Sequence, residues 1–231
     1  MEHLPNGYTL DIPEGCFPLS TDSMVLSNFV RLPKNAQVLD LGSGCGTLGL
    51  LLCSKDAFCQ VTGVELTQNA HLAALGNIRR NGLQSRMTSI CASVTSVSER
   101  FSPGQFGICV SNPPYFSGGP ASKVLPGARR EDTCTIEDLM KAASWALKFG
   151  GDFFLVHRPE RLGELIATAG KYRLEAKRLC LLRHHPTAPV NLILLQFRKG
   201  AKPGLILEEA TLYQEDGSES PVYQEIYHKE A

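Results

Sequence analysis

The chain has 231 residues, 43% of them hydrophobic and 20% charged, which is ordinary for a globular protein with a real core that needs no disulfide or metal for stability. Its 23 basic and 23 acidic residues cancel, so the strongly basic footprint of a general nucleic-acid binder is excluded and any RNA contact must rest on a local patch. No run approaches the ~18 apolar residues of a membrane span, and the opening MEHLPNGYTLDIPEG has neither the basic start nor the apolar stretch of a signal peptide.

In chain order, QVLDL at residues 37–41 is a short apolar run stopped by glycines and reads as a buried strand. Residues 47–54 (TLGLLLCS) follow as a helix, and QVTGVE at 60–65 reads as a second strand. Residues 67–81 show helical spacing at Ala70, Leu72, Ala73, Leu75 and Ile78, with Thr67 as N-cap and Asn81-Gly82 as the stop. Residues 87–92 and 106–111 read as the third and fourth strands. A helix is predicted over 135–148, opened by a capping-box-like Thr135 and Asp138 and closed by Gly150-Gly151. DFFLVH at 152–157 is a fifth strand, Pro159 suits the first turn of a helix, and 174–182 and 190–197 are two further strands. The alternation predicts an α/β fold, a parallel sheet with helices on both faces. The last two strands, with no helix between them, predict an antiparallel hairpin at one sheet edge. A single domain over 1–231 is expected, with an N-terminal cap segment (1–34), a core (35–200) and a loosely structured tail (201–231) carrying Pro203, Gly204 and Gly217.

The eight cysteines, Cys16, Cys45, Cys53, Cys59, Cys91, Cys109, Cys134 and Cys180, form no C-x-x-C pair and no zinc spacing. They read as buried reduced thiols. No metal, no membrane and a cytoplasmic location are the expectations.

The chemistry is concentrated in two loops. LDLGSGCGTLGL runs from a strand into a helix, where backbone N–H groups and a helix N-terminus approach a ligand. Gly44, Gly46 and Gly49 fit the dinucleotide pattern G-x-G-x-x-G. Asp40, Gly42, Gly44 and Gly46 fit instead the D-x-G-x-G-x-G of an S-adenosylmethionine site. A carboxylate at Asp40 would repel a pyrophosphate but suits a ligand carrying an ammonium and a sulfonium. Glu65, ending the second strand, can accept hydrogen bonds from ribose hydroxyls and supports either ligand.

The second loop, Ser111-Asn112-Pro113-Pro114-Tyr115-Phe116, follows the fourth strand on the side where such sheets bind ligands. Two prolines stiffen it and remove two donors, leaving acceptors suited to an –NH₂ group. The Asn112 amide oxygen and the Pro113 carbonyl can each take one hydrogen and aim the nitrogen lone pair at a methyl donor. Rate would come from positioning and from stabilising charge that grows on nitrogen, and Tyr115 offers a stacking face. His157, ending an apolar strand, reads as a packed histidine and not a ligand.

These motifs resemble class I S-adenosylmethionine-dependent methyltransferases of the Asn-Pro-Pro-Tyr type. More narrowly they resemble the bacterial adenine-N6 methyltransferases acting beside the anticodon of a valine tRNA. Besides VLDLGSGCGTLGLLL, VTGVEL and VSNPPYF, the resemblance takes in FPLSTDSMVLSNF, ARREDTCTIEDL, GGDFFLVHRPERL and KPGLILEEATLY. It implies a Rossmann-like seven-stranded sheet, mostly parallel, with the last strand antiparallel. It also implies S-adenosylmethionine as cofactor, an adenine in RNA (tRNA above all) as substrate, and Asn112, Pro113, Pro114 and Tyr115 as the catalytic loop. Asp40, Gly42, Ser43, Gly44, Glu65, Leu66, Ser93 and Asn112 would contact the cofactor, with Thr21 and Asp22 packing over its pocket. Ser93 stands where relatives carry an acidic residue for the cofactor's adenine, which implies weaker affinity. Arg129 and Arg130, with Lys177, Arg178, Arg183, His184 and His185, are the candidate RNA contacts.

Other readings stay open. A protein glutamine amide or another base amine such as guanine N2 needs the same loop chemistry. Glutamine methyltransferases usually add an N-terminal helical domain, and about 35 residues precede the first strand here. A non-catalytic cofactor-binding module is disfavoured by the intact Asn112. An NAD(P) oxidoreductase is disfavoured by Asp40.

Overall fold

The computed structural model describes residues 1–5, 7–114 and 134–227. Two short strands, β1 (Glu2–His3) and β2 (Thr9–Leu10), pair antiparallel. After them come α1 (Thr21–Phe29), β3 (Gln37–Leu41), α2 (Thr47–Lys55), β4 (Gln60–Glu65), α3 (Gln68–Arg80), β5 (Met87–Cys91), α4 (Val97–Arg100) and β6 (Phe106–Ser111). Then come α5 (Ile136–Ala146), β7 (Leu147–His157), α6 (Leu162–Lys171), β8 (Leu174–Arg183), β9 (Val190–Lys199), β10 (Ile206–Thr211) and α7 (Pro221–Tyr227).

Eight strands form one sheet in the order β10-β8-β9-β7-β6-β3-β4-β5. All neighbours pair parallel except β9, which runs antiparallel to both β7 and β8. The α/β class, the mostly parallel sheet and the β8–β9 hairpin are those expected from the sequence. β7 explains why the strands read as unbroken apolar runs. Phe153 and Leu155 enter the core under α5 and α6, while Phe154 and Val156 enter the opposite core, shared with α1, α2 and α3. A central strand covered on both faces is apolar at every position.

Two expectations about the helices and strands need correction. The described part of the tail, residues 201–227, is not loose: β10 adds an eighth strand parallel to β8, so the hairpin does not form the sheet edge. It was missed because Pro203 and Gly204 precede it and half its residues are exposed, leaving no clean alternation. The helix predicted over 135–148 ends at Ala146, and β7 starts at once with Leu147 opposite Phe106. From there to the Ile108–Asp152 pair, five steps on β7 face two on β6. Gly151 makes this bulge possible, since a Cβ there would lie 2.9 Å from the Gly107 carbonyl. The two glycines that read as a helix stop thus serve a strand bulge.

Thr135 does cap α5, with a complete capping box to Asp138. Five cysteines are buried, but Cys16, Cys91 and Cys134 are only partly so, which corrects the uniform burial expected, and all eight are free thiols. No helix among the described residues is long and apolar enough to cross a membrane.

Candidate functional site

The carboxyl ends of β3, β4 and β6 open onto a cleft of about 500 Å³. Two segments floor it. In the first, the chain leaves β3 and folds back on β4: the Gly42 and Ser43 N–H groups donate to the Val64 carbonyl at 2.9 and 3.0 Å. Gly42 and Gly44 take φ of +76° and +55°, and a Cβ on either would meet nothing within 4 Å. Their missing side chains leave open space beside the backbone. Gly46 and Gly49 differ. A Cβ there would come within 2.9 and 2.3 Å of the Met87 methyl, so they seat α2 against β5. Gly46 does not line the cleft, although a dinucleotide fingerprint would use it against a pyrophosphate.

Asp40 and Glu65 are the acidic side chains that line the cleft. Asp40 is 1% exposed, and neither of its carboxylate oxygens has a protein partner. Burial first, and the Glu65 carboxylate second, push its pKa up to about 8. Such an orphaned acid is costly unless a cation or donor completes it. Ser43 is similar: its buried hydroxyl has no partner, and Gly63 leaves room for it, since a Cβ at Gly63 would sit 2.6 Å from Ser43 Oγ. Glu65 is held in place. It accepts from the Gly44 N–H at 2.9 Å and from the Thr67 N–H and hydroxyl at 2.8 and 2.7 Å. The two Thr67 bonds fill Oε1, while Oε2, with only the Gly44 N–H on it, keeps acceptor capacity for a ribose hydroxyl. Leu66, 47% exposed, lines the mouth. Ser93 lines it too, with its hydroxyl capping the turn after β5 through the Thr95 N–H at 3.2 Å.

The second segment leaves β6. Ser111 Oγ donates to the Leu41 carbonyl at 2.7 Å, tying the two loops together. Asn112 and Pro114 line the cleft, and Asn112 Nδ2 donates to Ser23 Oγ at 3.0 Å. That bond sets the amide plane, with nitrogen toward α1 and oxygen turned from it. Pro113 lies between these two, while Tyr115, Arg129 and Arg130 lie outside the described residues.

Thr21 and Asp22 do not line the cleft. They open α1 after the N-cap Ser20, and it is Ser23 that faces the site. Sequence reasoning missed the strap at Gly15, Cys16, Phe17 and Pro18, which forms one wall, and Asn77, which anchors that strap. Asn77, fully buried on α3, accepts from the Asp11 N–H at 2.8 Å and donates to the Asp11 and Cys45 carbonyls at 2.9 and 3.0 Å. Asn81 clasps Thr9 in the same way at 2.9 and 2.8 Å. The signal was present in the sequence, since Asn77 falls on the buried stripe of Ala70, Ala74 and Ile78, where an amide must find partners.

Among the candidate RNA contacts, Arg178 is a correction. It is 8% exposed, forks onto Glu208 at 2.9 Å through both nitrogens, and lies 4.1 Å over the Phe29 ring. It is a structural cation. Lys177 donates to the Lys202 carbonyl at 3.0 Å, toward the amino end of β8. Arg183, His184 and His185 stand at the carboxyl end of β8, the edge where the cleft opens. His157 is 1% exposed and accepts the Arg158 N–H at 2.8 Å, and burial lowers its pKa to about 4. Among the described residues no cluster of His, Cys, Asp or Glu is gathered to hold a metal.

Residues 20–167 match the family model described as methyltransferase small domain. The chain is 28% identical over 212 residues to the tRNA1(Val) (adenine(37)-N6)-methyltransferase of Photobacterium profundum, covering 89% of this chain and 88% of that one. It is 31% identical to the protein of the same name from Shewanella woodyi, covering 69% and 68%. Among solved structures, one described as a predicted O-methyltransferase from Agrobacterium tumefaciens superposes with a TM-score of 0.75 at 21% identity, covering 89% of this chain and 95% of that one. The T. thermophilus 16S rRNA N2 G1207 methyltransferase, in complex with AdoMet and guanosine, gives 0.61 at 23% identity, covering 83% and 47%.

Proposed function

We propose that this chain, which belongs to the methyltransferase small domain family, methylates the N6 amine of an adenine in tRNA. Its cofactor is S-adenosylmethionine. The cleft fits that cofactor: Asp40 is a buried acid lacking a partner, Gly42 and Gly44 leave a bare backbone, and Glu65 is fixed as an acceptor. Asp40 would face the cationic part of the cofactor, Glu65 its ribose, and Leu66 and Ser93 its base. The cofactor supplies an activated methyl group on a sulfonium.

The observation that carries the reading is the shared cleft. The Asn112-Pro113-Pro114 segment opens onto the same space as the glycine loop, and Ser23 orients its amide. Asn112 Oδ1 and the Pro113 carbonyl would each accept one hydrogen of the exocyclic amine. Held so, the amine presents its lone pair to the methyl group and, once methylated, passes its surplus proton to solvent. Tyr115, on the same motif, would stack against the base. No nucleophilic side chain is needed, and much of the rate would come from alignment.

The curated relatives are named for adenine-37 N6 of tRNA1(Val), and this supports a tRNA substrate and with it a cytoplasmic setting. A single domain spans the chain, with the N-terminal strap as cap. The test is tritium transfer from labelled cofactor into tRNA lacking its native modifications, followed by nucleoside analysis. Label in N6-methyladenosine is expected, and Asn112→Ala should abolish it while cofactor affinity stays within about threefold. Label in another nucleoside, or in a protein glutamine, overturns the substrate assignment. Equal loss of transfer and cofactor binding in folded Asn112→Ala overturns the role of Asn112.

A further inference from the structure

Five aromatic rings run along the carboxyl edge of the sheet, outside the cleft. His184 and His185 follow β8 and Tyr213 follows β10; the Tyr213 N–H donates to the His184 carbonyl at 3.0 Å and continues the strand pairing past its end. The two histidine rings lie 4.6 Å apart, and Tyr213 lies 4.8 and 5.4 Å from them. Tyr223 follows at 5.2 Å from Tyr213, and Tyr227 at 4.5 Å from Tyr223. The last hydroxyl donates to Thr21 Oγ1 at 3.1 Å, two residues from the Ser23 that orients Asn112. A continuous row of rings thus leads from the β8–β9 turn to the wall of the substrate site.

Core packing alone does not account for this row. Tyr213, Tyr223 and Tyr227 rest against the core yet keep part of their surface open, His185 is likewise only partly buried, and His184 is exposed. Rings with polar edges, set in series and each part-open to solvent, match the surfaces on which unpaired bases stack. The span also fits. β8 and β6 are three strand spacings apart in the sheet order, which is on the order of 14 Å, the rise of about four stacked bases. Arg183 ends β8 beside the outer rings, its guanidinium fixed by the Ala188 carbonyl at 2.9 Å, and supplies a cation for a phosphate.

We propose that the row from His184 to Tyr227 is a stacking platform for the single-stranded nucleotides that flank the target adenine. It rests on the RNA reading above and adds where the rest of the substrate lies. Bases stacked on the outer rings would leave the target free to enter the Asn112 pocket.

The test uses the full chain and an anticodon stem-loop RNA carrying 2-aminopurine next to the target adenine. His184→Ala with His185→Ala alters only the turn, Tyr213→Leu removes the central ring, and Tyr213→Phe keeps it. The first two variants should raise KM for the RNA about tenfold or more and relieve the quenching of 2-aminopurine. KM for the cofactor should stay within twofold, and Tyr213→Phe should match wild type. A wild-type KM for RNA in the histidine double variant overturns the proposal, whatever Tyr213→Leu does to folding. Wild-type chain that binds cofactor yet methylates no RNA overturns the proposed function instead, and this platform with it.

Discussion

If Asp40 is the counter-charge of the cofactor, cofactor binding must release a proton. Burial and Glu65 push this acid up to about 8, so the ligand-free protein holds it neutral at pH 7. A ligand bringing an ammonium and a sulfonium into the cleft favours the carboxylate. Observed affinity then scales with the ionised fraction of the free protein, which is roughly 1% at pH 6 and roughly 24% at pH 7.5. The association constant should rise roughly 25-fold across that window, and about 0.9 proton should be released per cofactor bound at pH 7. Above pH ~7.7 the cofactor's own amino group begins to lose its charge, so the window stops there. Isothermal titration in two buffers of different ionisation enthalpy measures the released proton directly. Asp40→Asn should bind more weakly, with neither the pH slope nor the proton release. Heats that do not depend on buffer, or an Asp40→Asn variant with the wild-type slope, would refute the reasoning. Stability follows the same linkage. Asp40 has a raised pKa in the fold, so its stabilising contribution is complete below about pH 3.8 and is lost as pH rises through about 8.

Three further outcomes are expected. Gly63→Ala drives a Cβ to 2.6 Å from Ser43 Oγ and should cost ~1–3 kcal/mol in urea unfolding; adding Ser43→Gly should recover most of it, and strictly additive losses would show that the two do not touch. Asn77→Leu strips three backbone groups of their partners; since Asp11 is only half-buried, a loss of ~2–5 kcal/mol is expected, with weaker cofactor binding, and unchanged binding in the folded variant would separate the strap from the site. Arg178→Met should cost ~2–3 kcal/mol, at or below the low end for a broken buried pair because Glu208 keeps 31% exposure; RNA affinity should not change, and a fall in it would restore Arg178 to the RNA surface.

The core strands were legible because each is buried on both faces, and apolar runs bounded by glycine or proline have few other uses. β3, β4 and β6 carry the bounds read from the sequence. The glycine loop and Asn112 could be picked out because each motif is contiguous in sequence, and both line the cleft. What was not legible depends on distant partners. Ser23 matters through Asn112, 89 residues on, and Asn77 matters through Asp11, 66 residues back. Arg178 read as a surface cation because its three covers, Phe29, Gln196 and Glu208, come from separate parts of the chain. β10 was hidden because an edge strand with one face in water carries little apolar signal.

The Tyr227–Thr21 contact joins residues 206 positions apart, and α7 lies across α1. On the ribosome the chain emerges from its N-terminus at roughly 5–20 residues per second, so α1 waits ten seconds or more for the helix that covers it. The glycine loop and β6 can pair before then. The wall that orients Asn112 is finished only once α7 is free of the exit tunnel. On the proposed role of Asn112, competence to grip a substrate therefore arrives late, after the parts that would hold the cofactor, and a chain stalled near residue 200 would have a cleft whose Asn112 side lacks its final support.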